Sequence, residues 1–435
     1  AEVKVLHTLD RWNKFEPRPQ IAVLGCMAER LKDELLTRAD VVAGPDSYRY
    51  LVDLLSNKNG GGAHTQLAMD ETYVDIAPVR RDPDVKHGAF VSVQRGCSNM
   101  CSFCIVPFVR GRDRSRAPAS IVEECKRLYG EHGVKEITLL GQNVNSYAFF
   151  NVFSSSSSSS ESSGTARRYA RGFEAPFVRS AKRDADDSAL RFADLLVLVA
   201  EACPEARIRF TSPHPKDIPD ELLHAVRDVP NVAKNLHLPA QSGSSRVLAT
   251  MRRGYTAEAY LDLVRHARST IGDDNGYLSL SSDFIAGFCG ETEDDHQSTL
   301  DLLRRVQYDM AFLFAYSLRP GTHAHRAATL EDDVPPEVKK RRLAELIAEY
   351  EKGRHARAQS AVGSRSLVLV EGPPARNPTP DGDYLSGRDD ANRRVIFPSR
   401  TSFVPGDFAL VEIERASGAT LFGKALSRHS SARAA

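Results

Sequence analysis

Cysteine is scarce in this chain. Seven in 435 residues are too few for a secreted disulfide scaffold. No run of 18 or more apolar residues occurs, so there is no span for a transmembrane helix. A charge excess of one sign is missing too: 58 Lys+Arg against 57 Asp+Glu leave a formal net charge of +1. Any nucleic-acid binding must then come from local patches and not from a chain-wide basic field. The opening Ala1-Glu2-Val3-Lys4-Val5 has no initiator Met and no signal-peptide pattern, and we read this start as processed or truncated. What remains is ordinary globular composition, 41% hydrophobic and 26% charged, at a length that predicts about three domains.

Three regions differ in rhythm. In residues 1–75, the run Ile21–Cys26 predicts a short buried strand, 27–37 a helix and Val41–Gly44 a second strand. Asn57 through Ala63 is a Gly-rich surface loop without the following Gly-Lys of a phosphate cradle. Residues 88–330 alternate between helices and six apolar runs: Ala89–Gln94, Glu136–Leu140, Arg207–Phe210, Asn235–Leu238, Leu278–Ile285 and Phe312–Ser317. Such alternation predicts parallel strands with right-handed crossovers, here in an open or partial barrel. Ser120 and Glu123 predict a capping box for a helix over 121–130, with Cys125 on its core face. The segment 148–188, which contains a pure serine run at Ser154–Ser160, predicts a mostly disordered insertion. After a charged helix over 335–362 come five short strands, Ser366–Glu371, Asp383–Gly387, Arg394–Phe397, Asp407–Ile413 and Thr420–Ala425. They predict a small antiparallel, OB-like barrel.

The strongest chemical signal is Cys97-Ser98-Asn99-Met100-Cys101-Ser102-Phe103-Cys104, directly after the first barrel strand. Three thiolates on a cubane [4Fe–4S] cluster leave one iron without a protein ligand, and an open corner can take a substrate or cofactor. A structural zinc site would need a fourth ligand, and His132 is the nearest downstream His, beyond a helix. In β/α barrels chemistry sits at the C-terminal ends of the strands. Each predicted strand end here carries a polar or Gly-rich turn: Gly141–Asn145, Thr211–Pro215, Pro239–Ser244, Gly287–Thr292 and Arg319–Thr322. Arg110, Arg112, Arg114 and Arg116 fall within seven residues just after the triplet and suit phosphate recognition. Arg252 and Arg253 form a weaker basic pair. The run Lys339–Arg342 reads as a solvated helix face, and Cys125, Cys203 and Cys289 read as non-ligands. No histidine is assigned as a ligand.

These residues resemble a known superfamily. C-x-x-x-C-x-x-C at the end of the first strand of a partial barrel is the signature of radical S-adenosylmethionine (SAM) enzymes. The segments "RGCSNMCSFCIVPFVRGRDRSR", "LLGQNVNSY", "TSPHPKDIPDELL", "LPAQSGSSRVLATMRRGY", "SLSSDFIAGFCGETEDDH" and "YSLRPGT" look like the methylthiotransferase family. They are closest to the eukaryotic mitochondrial branch that methylthiolates isopentenyl-adenosine beside the tRNA anticodon. The resemblance spans about 20–147 and 190–426. It implies an α/β fold in three parts. These are an N-terminal methylthiotransferase domain (1–75, read as truncated), a partial (β/α)6 radical SAM barrel (83–335, with the 148–188 insertion) and a C-terminal antiparallel TRAM RNA-binding barrel (362–428).

The same resemblance implies that Cys97, Cys101 and Cys104 hold a [4Fe–4S] cluster that binds SAM and cleaves it reductively to activate the adenine C2–H. Gly141, Gln142, Asn143, Ser242, Gly287 and Glu291 are then expected around SAM, and Arg110, Arg112, Arg114 and Arg116 on RNA. The family holds a second, auxiliary cluster on three N-terminal cysteines. Only Cys26 matches here, and no other cysteine precedes Cys97. The two missing partners are read as truncation, with the second cluster expected in the full-length protein. The partners implied are tRNA, an electron donor and a sulfur source. No membrane association and no stable protein partner can be read, and the location implied is intracellular and mitochondrial. Three alternatives stand beside this one: action on threonylcarbamoyl-adenosine, action on a ribosomal-protein aspartate, and a non-catalytic RNA-binding or regulatory protein.

Overall fold

A computed structural model describes residues 2–56, 62–65, 67, 87–150, 189–272, 277–376, 383–399 and 403–432. Most of the Gly-rich loop and residues 151–188 of the insertion lie outside the described residues. Ala148–Phe149 pairs antiparallel with Leu190–Arg191, so the two ends of the insertion meet.

The N-terminal region is a parallel three-stranded sheet of β1 (Ala22–Leu24), β2 (Val41–Ala43) and β3 (Gly62–His64), in that order. Its core gathers Leu9, Ile21, Val23, Ala28, Leu35 and Val42. The helix expected over 27–37 is two pieces, Cys26–Leu31 and Asp33–Leu36, broken where Lys32 takes a φ of 35°.

The middle of the chain supplies six parallel strands: β4 (Gly88–Ser92), β5 (Glu136–Leu140), β6 (Arg207–Phe210), β7 (Asn235–His237), β8 (Ser279–Ala286) and β9 (Met310–Ala315). They follow one another in space in chain order, as two three-stranded sheets joined by the bridge between Ile208 and Val232. Helices cross between them, among them Pro118–Gly130, Phe192–Ala202, Asp220–Asp228, Ala257–Ile271 and Glu293–Val306. Alternate strand residues such as Val91, Ile137, Leu139, Ile208, Leu236, Leu280 and Phe284 pack outward against these helices in one core, because side chains along a strand alternate between its faces. Among the described residues β4 and β9 pair with nothing on their outer edges, so the barrel is open along one side.

The first crossover helix does not use the capping box. It starts at Pro118, a residue suited to the first helical turn, behind Ala117. The Ser120 hydroxyl instead accepts from Arg116 Nη2 at 3.0 Å. Cys125 and Cys203 are fully buried in the core. The solvated-face reading of Lys339–Arg342 holds for Lys340 and Arg341 but is corrected for the other two. Helical spacing puts residues three apart on one side, and here Lys339 and Arg342 are buried. Lys339 pairs with Asp332 and lies over the Tyr316 ring. Arg342 Nη1 donates to Glu291 Oε1 at 2.9 Å.

The C-terminal strands β10 (Arg365–Gly372), β11 (Tyr384–Arg388), β12 (Arg394–Pro398), β13 (Phe408–Ser417) and β14 (Thr420–His429) close a barrel in the order β10-β11-β12-β14-β13. It is not wholly antiparallel as expected, since β12 and β14 run parallel. A closed ring of five strands cannot alternate direction all the way round, so one parallel pair is unavoidable.

This barrel docks at the N-terminal ends of β5–β8. Arg207, only 1% exposed, donates to Leu367 O at 2.7 Å and Arg388 O at 3.0 Å and pairs with Asp390 at 3.1 Å. Arg209 donates to Asp389 O at 2.6 Å, Asp390 O at 2.8 Å and Glu136 Oε2 at 2.9 Å. Lys234 N donates to Asp390 Oδ2, and Ser279 Oγ to Ala391 O, both at 2.9 Å. The turn after β11 therefore forms the floor of the six-strand barrel. No helix among the described residues is long and apolar enough to cross a membrane.

Removing one partner of a buried, hydrogen-bonded charge network is costly. Arg207→Ala is expected to lower the unfolding free energy by about 3–5 kcal/mol, measured by urea titration. It should also speed proteolytic release of the C-terminal barrel. An unchanged midpoint would show that the floor does not depend on this guanidinium.

Candidate functional site

The opposite, C-terminal mouth of the barrel carries the three cysteines. β4 runs into Gly96, whose φ of 74° no side-chain-bearing residue adopts easily. A Cβ there would meet Arg112 O at 2.0 Å. The tight pass turns the chain into the cysteine loop, and Cys97 N donates to Gly111 O at 3.1 Å. Three neighbouring segments then brace the loop. Gln142, after β5, accepts from Gly96 N at 2.7 Å. Ser102 N donates to Met251 O at 3.0 Å, and its hydroxyl to Thr250 O at 2.9 Å. Ala324 N donates to Ser102 O at 2.8 Å.

Cys97 and Cys101 are buried and Cys104 partly so. Burial, with the neighbouring thiols adding, pushes Cys97 up to about 12 and Cys104 up to about 11. Three thiolates cannot be charged together here without a cationic group among them. The donor set is sulfur only, which suits iron–sulfur ligation. A guanidinium completes it: buried Arg253 donates from Nη1 to Cys101 Sγ at 3.3 Å, from Nη2 to Pro239 O at 2.8 Å and from Nε to Tyr255 OH at 3.0 Å. Arg253 stays charged because Tyr255 and Cys101 beside it outweigh the cost of burial. This corrects its reading as part of a basic RNA patch. It orients and polarises the Cys101 sulfur, the placement found for groups behind metal ligands.

The expected SAM contacts lie around this mouth, and the structure gives most of their side chains protein partners. Gly141 sits in a tight turn against Val144, and Gln142 holds the cysteine loop. Asn143 Nδ2 donates to Asp217 Oδ2 at 3.1 Å, and its Oδ1 accepts from His214 N at 3.1 Å. Ser242 is buried against Thr299, 3.3 Å away. Gly287, with φ 73°, passes so close to Lys339 that a Cβ would meet Lys339 Cγ at 2.4 Å. Glu291 accepts from Gly287 N at 2.9 Å as well as from Arg342.

His214, in the strand-end turn Thr211–Pro215, is given no ligand role by the sequence. It is buried, Nδ1 accepts from Lys216 N at 3.3 Å, and Nε2 has no hydrogen-bond partner among the described residues. Burial, with Arg253 and Lys216 nearby, holds the ring well below its usual pKa. The neutral ring therefore keeps its proton on Nε2, a buried donor with no partner among the described residues.

The four arginines after the triplet separate. Arg114 pairs with Asp46 of the N-terminal region at 3.1 Å, with both side chains buried. Arg116 pairs with Glu124 at 2.8 Å and donates to Ser92 O at 2.7 Å, again buried. Neither reaches solvent, so the expected RNA contact is corrected for both. Arg112 is exposed. Arg110, on the short helix Val106–Arg110, donates from Nε to Cys26 Sγ at 3.1 Å. Cys26 thus lies beside the short helix that follows the cysteine loop, 84 positions from Arg110 in sequence. Cys26 is the only N-terminal thiol, since the other six cysteines lie at 97 and beyond, and one thiol does not hold a cubane cluster.

Comparison with known proteins agrees with this geometry. The radical SAM superfamily model matches residues 91–303. A Mus musculus protein called mitochondrial tRNA methylthiotransferase CDK5RAP1 is 49% identical over 443 residues, covering 97% of this chain and 71% of the relative. A CDK5RAP1-like protein of Oryza sativa subsp. japonica is 50% identical, covering 95% and 68%. The tRNA-2-methylthio-N(6)-dimethylallyladenosine synthase of Chloroherpeton thalassium is 43% identical, covering 97% and 83%.

The buried and exposed arginines should behave differently. Arg114→Ala strands Asp46 in the interface and is expected to cost about 3–5 kcal/mol of stability. Arg112→Ala should stay within about 0.5 kcal/mol. Parallel urea melts check both, and equal effects would contradict the burial of Arg114.

Proposed function

The chain belongs to the radical SAM tRNA methylthiotransferase family, and from that premise we propose that it adds a methylthio group to C2 of N6-isopentenyladenosine next to the anticodon of tRNA. The observation that carries this is the sulfur-only triad at the barrel mouth, with Arg253 on its middle sulfur. The chain around it is 49% identical to a mouse protein named as a mitochondrial tRNA methylthiotransferase and 43% identical to a bacterial protein named as a tRNA-2-methylthio-N(6)-dimethylallyladenosine synthase, each over 97% of this chain.

In this reading Cys97, Cys101 and Cys104 hold a [4Fe–4S] cluster with one iron left for SAM. When bound, the cluster and SAM supply the reductive cleavage that an inert aryl C–H demands. The protein's own residues position and enclose. Gln142 fixes the start of the cysteine loop through Gly96 N, and Arg253 fixes its centre. The backbone at Gly141–Asn143 and Gly287 is the proposed cradle for SAM, with Ser242 and Glu291 supporting it from behind. His214 Nε2–H is the proposed donor to a ligand in the mouth. Cys26 is the one thiol of this chain ahead of Cys97, so the residues present do not fit a second cluster.

The proposed layout keeps a methylthiotransferase domain at 1–75, the radical SAM barrel at 83–335 and a TRAM module at 362–428. On that module Arg376, Arg394, Ser417, Thr420 and Phe422 line a hollow of about 430 Å³, with Arg415 3.7 Å over the Phe422 ring. Paired guanidinium and aromatic groups suit RNA. Arg112 and Arg110 are the proposed contacts nearer the mouth. The reaction further needs an electron donor and a sulfur source. A mitochondrial setting is proposed on the name of the mouse relative.

Anaerobic reconstitution with iron and sulfide is expected to load about four irons per chain and to yield 5′-deoxyadenosine from SAM, both abolished by Cys101→Ala. No iron and no cleavage would overturn the reading. In cells lacking the protein, tRNA nucleosides analysed by mass spectrometry should lose methylthio-isopentenyladenosine and retain isopentenyladenosine. An unchanged methylthio level would exclude this substrate.

A further inference from the structure

The six-strand sheet shows one face to the helices and the other to the lumen below the cysteine loop. On the outer strands the two faces are easily told apart. Ala89 and Val91 on β4 are buried in the helix-side core, and Ala311 and Leu313 on β9 pack against it. Alternation then turns Phe90 on β4, and Phe312 and Phe314 on β9, to the lumen. These three side chains are 69%, 47% and 54% exposed. β4 and β9 are also the two strands whose outer edges are unpaired among the described residues. Both lips of the barrel's open side therefore carry lumen-facing phenylalanine.

A single exposed phenylalanine needs no explanation. Three on the two lips of one opening, facing the lumen that ends at the thiols, mark a binding surface. Its polar neighbours are equally specific. Phe312 lies opposite Asp283 in the ladder, and Phe314 opposite Ile285. The His237 ring meets Phe312 edge-on, with centroids 6.1 Å apart. His237 Nδ1 is 2.9 Å from Ser281 Oγ, and Nε2 is 3.4 Å from Asp283 Oδ2. One lip is thus aromatic at its edge and hydrogen-bonding just inside.

We propose that Phe90, Phe312 and Phe314 form the pocket for the modified base itself, a specificity device for the reaction proposed above and resting on that reading. A base buried in a stacked loop cannot reach the barrel mouth, so it must leave its stack. The flat purine then needs an aromatic face, and its isopentenyl group needs apolar surface removed from water. Phenylalanine on two facing lips offers both, and the His237–Ser281–Asp283 group lies within reach of the purine edge.

The test is binding of two anticodon stem-loop RNAs, identical except for adenosine or isopentenyladenosine at the modified position, read by fluorescence anisotropy on the full chain. The wild type is expected to favour the isopentenylated RNA by about tenfold or more. Phe312→Ala with Phe314→Ala should erase most of that preference and weaken binding of both RNAs, the isopentenylated one more. Phe312→Trp alone should retain the preference, which separates a stacking role from a folding defect. Phe90→Ala should reduce it from the opposite lip. A wild type that binds both RNAs alike would overturn the isopentenyl reading and the pocket together. A wild type that discriminates, with the double variant discriminating equally, would overturn the pocket alone. A wild-type dimer in sedimentation that the double variant abolishes would assign the lips to a second copy of the chain and equally overturn the pocket.

Discussion

Arg207 and Arg209 stand on a strand at the centre of the molecule, and a guanidinium in that position must find its partners inside the protein. Removing a charge from water costs several kcal/mol unless every donor is matched. Here the matches are backbone carbonyls of Leu367, Arg388, Asp389 and Asp390 and the carboxylate of Glu136. Most of these acceptors belong to the C-terminal barrel, so satisfying the two arginines and docking the barrel are one event. The docked turn closes the floor of the six-strand barrel. With the floor closed, the lumen of the described residues opens at the cysteine mouth and along the side between β4 and β9.

The same rule works at the mouth on a smaller scale. Arg114 joins the N-terminal region to the cysteine loop through Asp46, and Arg110 brings Cys26 alongside. Arg116 ties the start of the first crossover helix to β4 through Glu124 and Ser92. Arg253 turns the same chemistry on the sulfur of Cys101. A cluster of arginines that looks like one phosphate-binding patch is thus mostly a set of internal fasteners, each with a named acceptor. Their arrangement keeps an irregular loop in place.

The cysteine loop depends equally on close backbone approach. Gly96 passes within van der Waals range of Arg112 O, and Gln142 reaches across from the next strand to hold its N–H. Polar turns at successive strand ends therefore support one another before they meet any ligand. Asn143, Ser242 and Glu291 illustrate this: each is spoken for by a protein partner, yet each holds in shape a turn that faces the mouth.

Local pattern was enough for the six barrel strands, the five terminal strands and the three cysteines, because strand alternation and C-x-x-x-C-x-x-C spacing are properties of neighbouring residues. It was not enough for the capping box, since Pro118 starts the helix earlier and Arg116 takes the Ser120 hydroxyl. Nor could it separate Lys339 and Arg342 from Lys340 and Arg341, because only packing against Asp332 and Glu291 decides which face of that helix is inside. By itself the sequence determined the order of the elements, the thiol triplet and the family resemblance. The tertiary structure alone decided which arginines are buried, the parallel seam of the five-strand barrel, and the phenylalanines on both lips of the slot. Each of those depends on contacts between residues far apart in the chain, such as Arg207 and Leu367 at 160 positions, and no local periodicity carries that information.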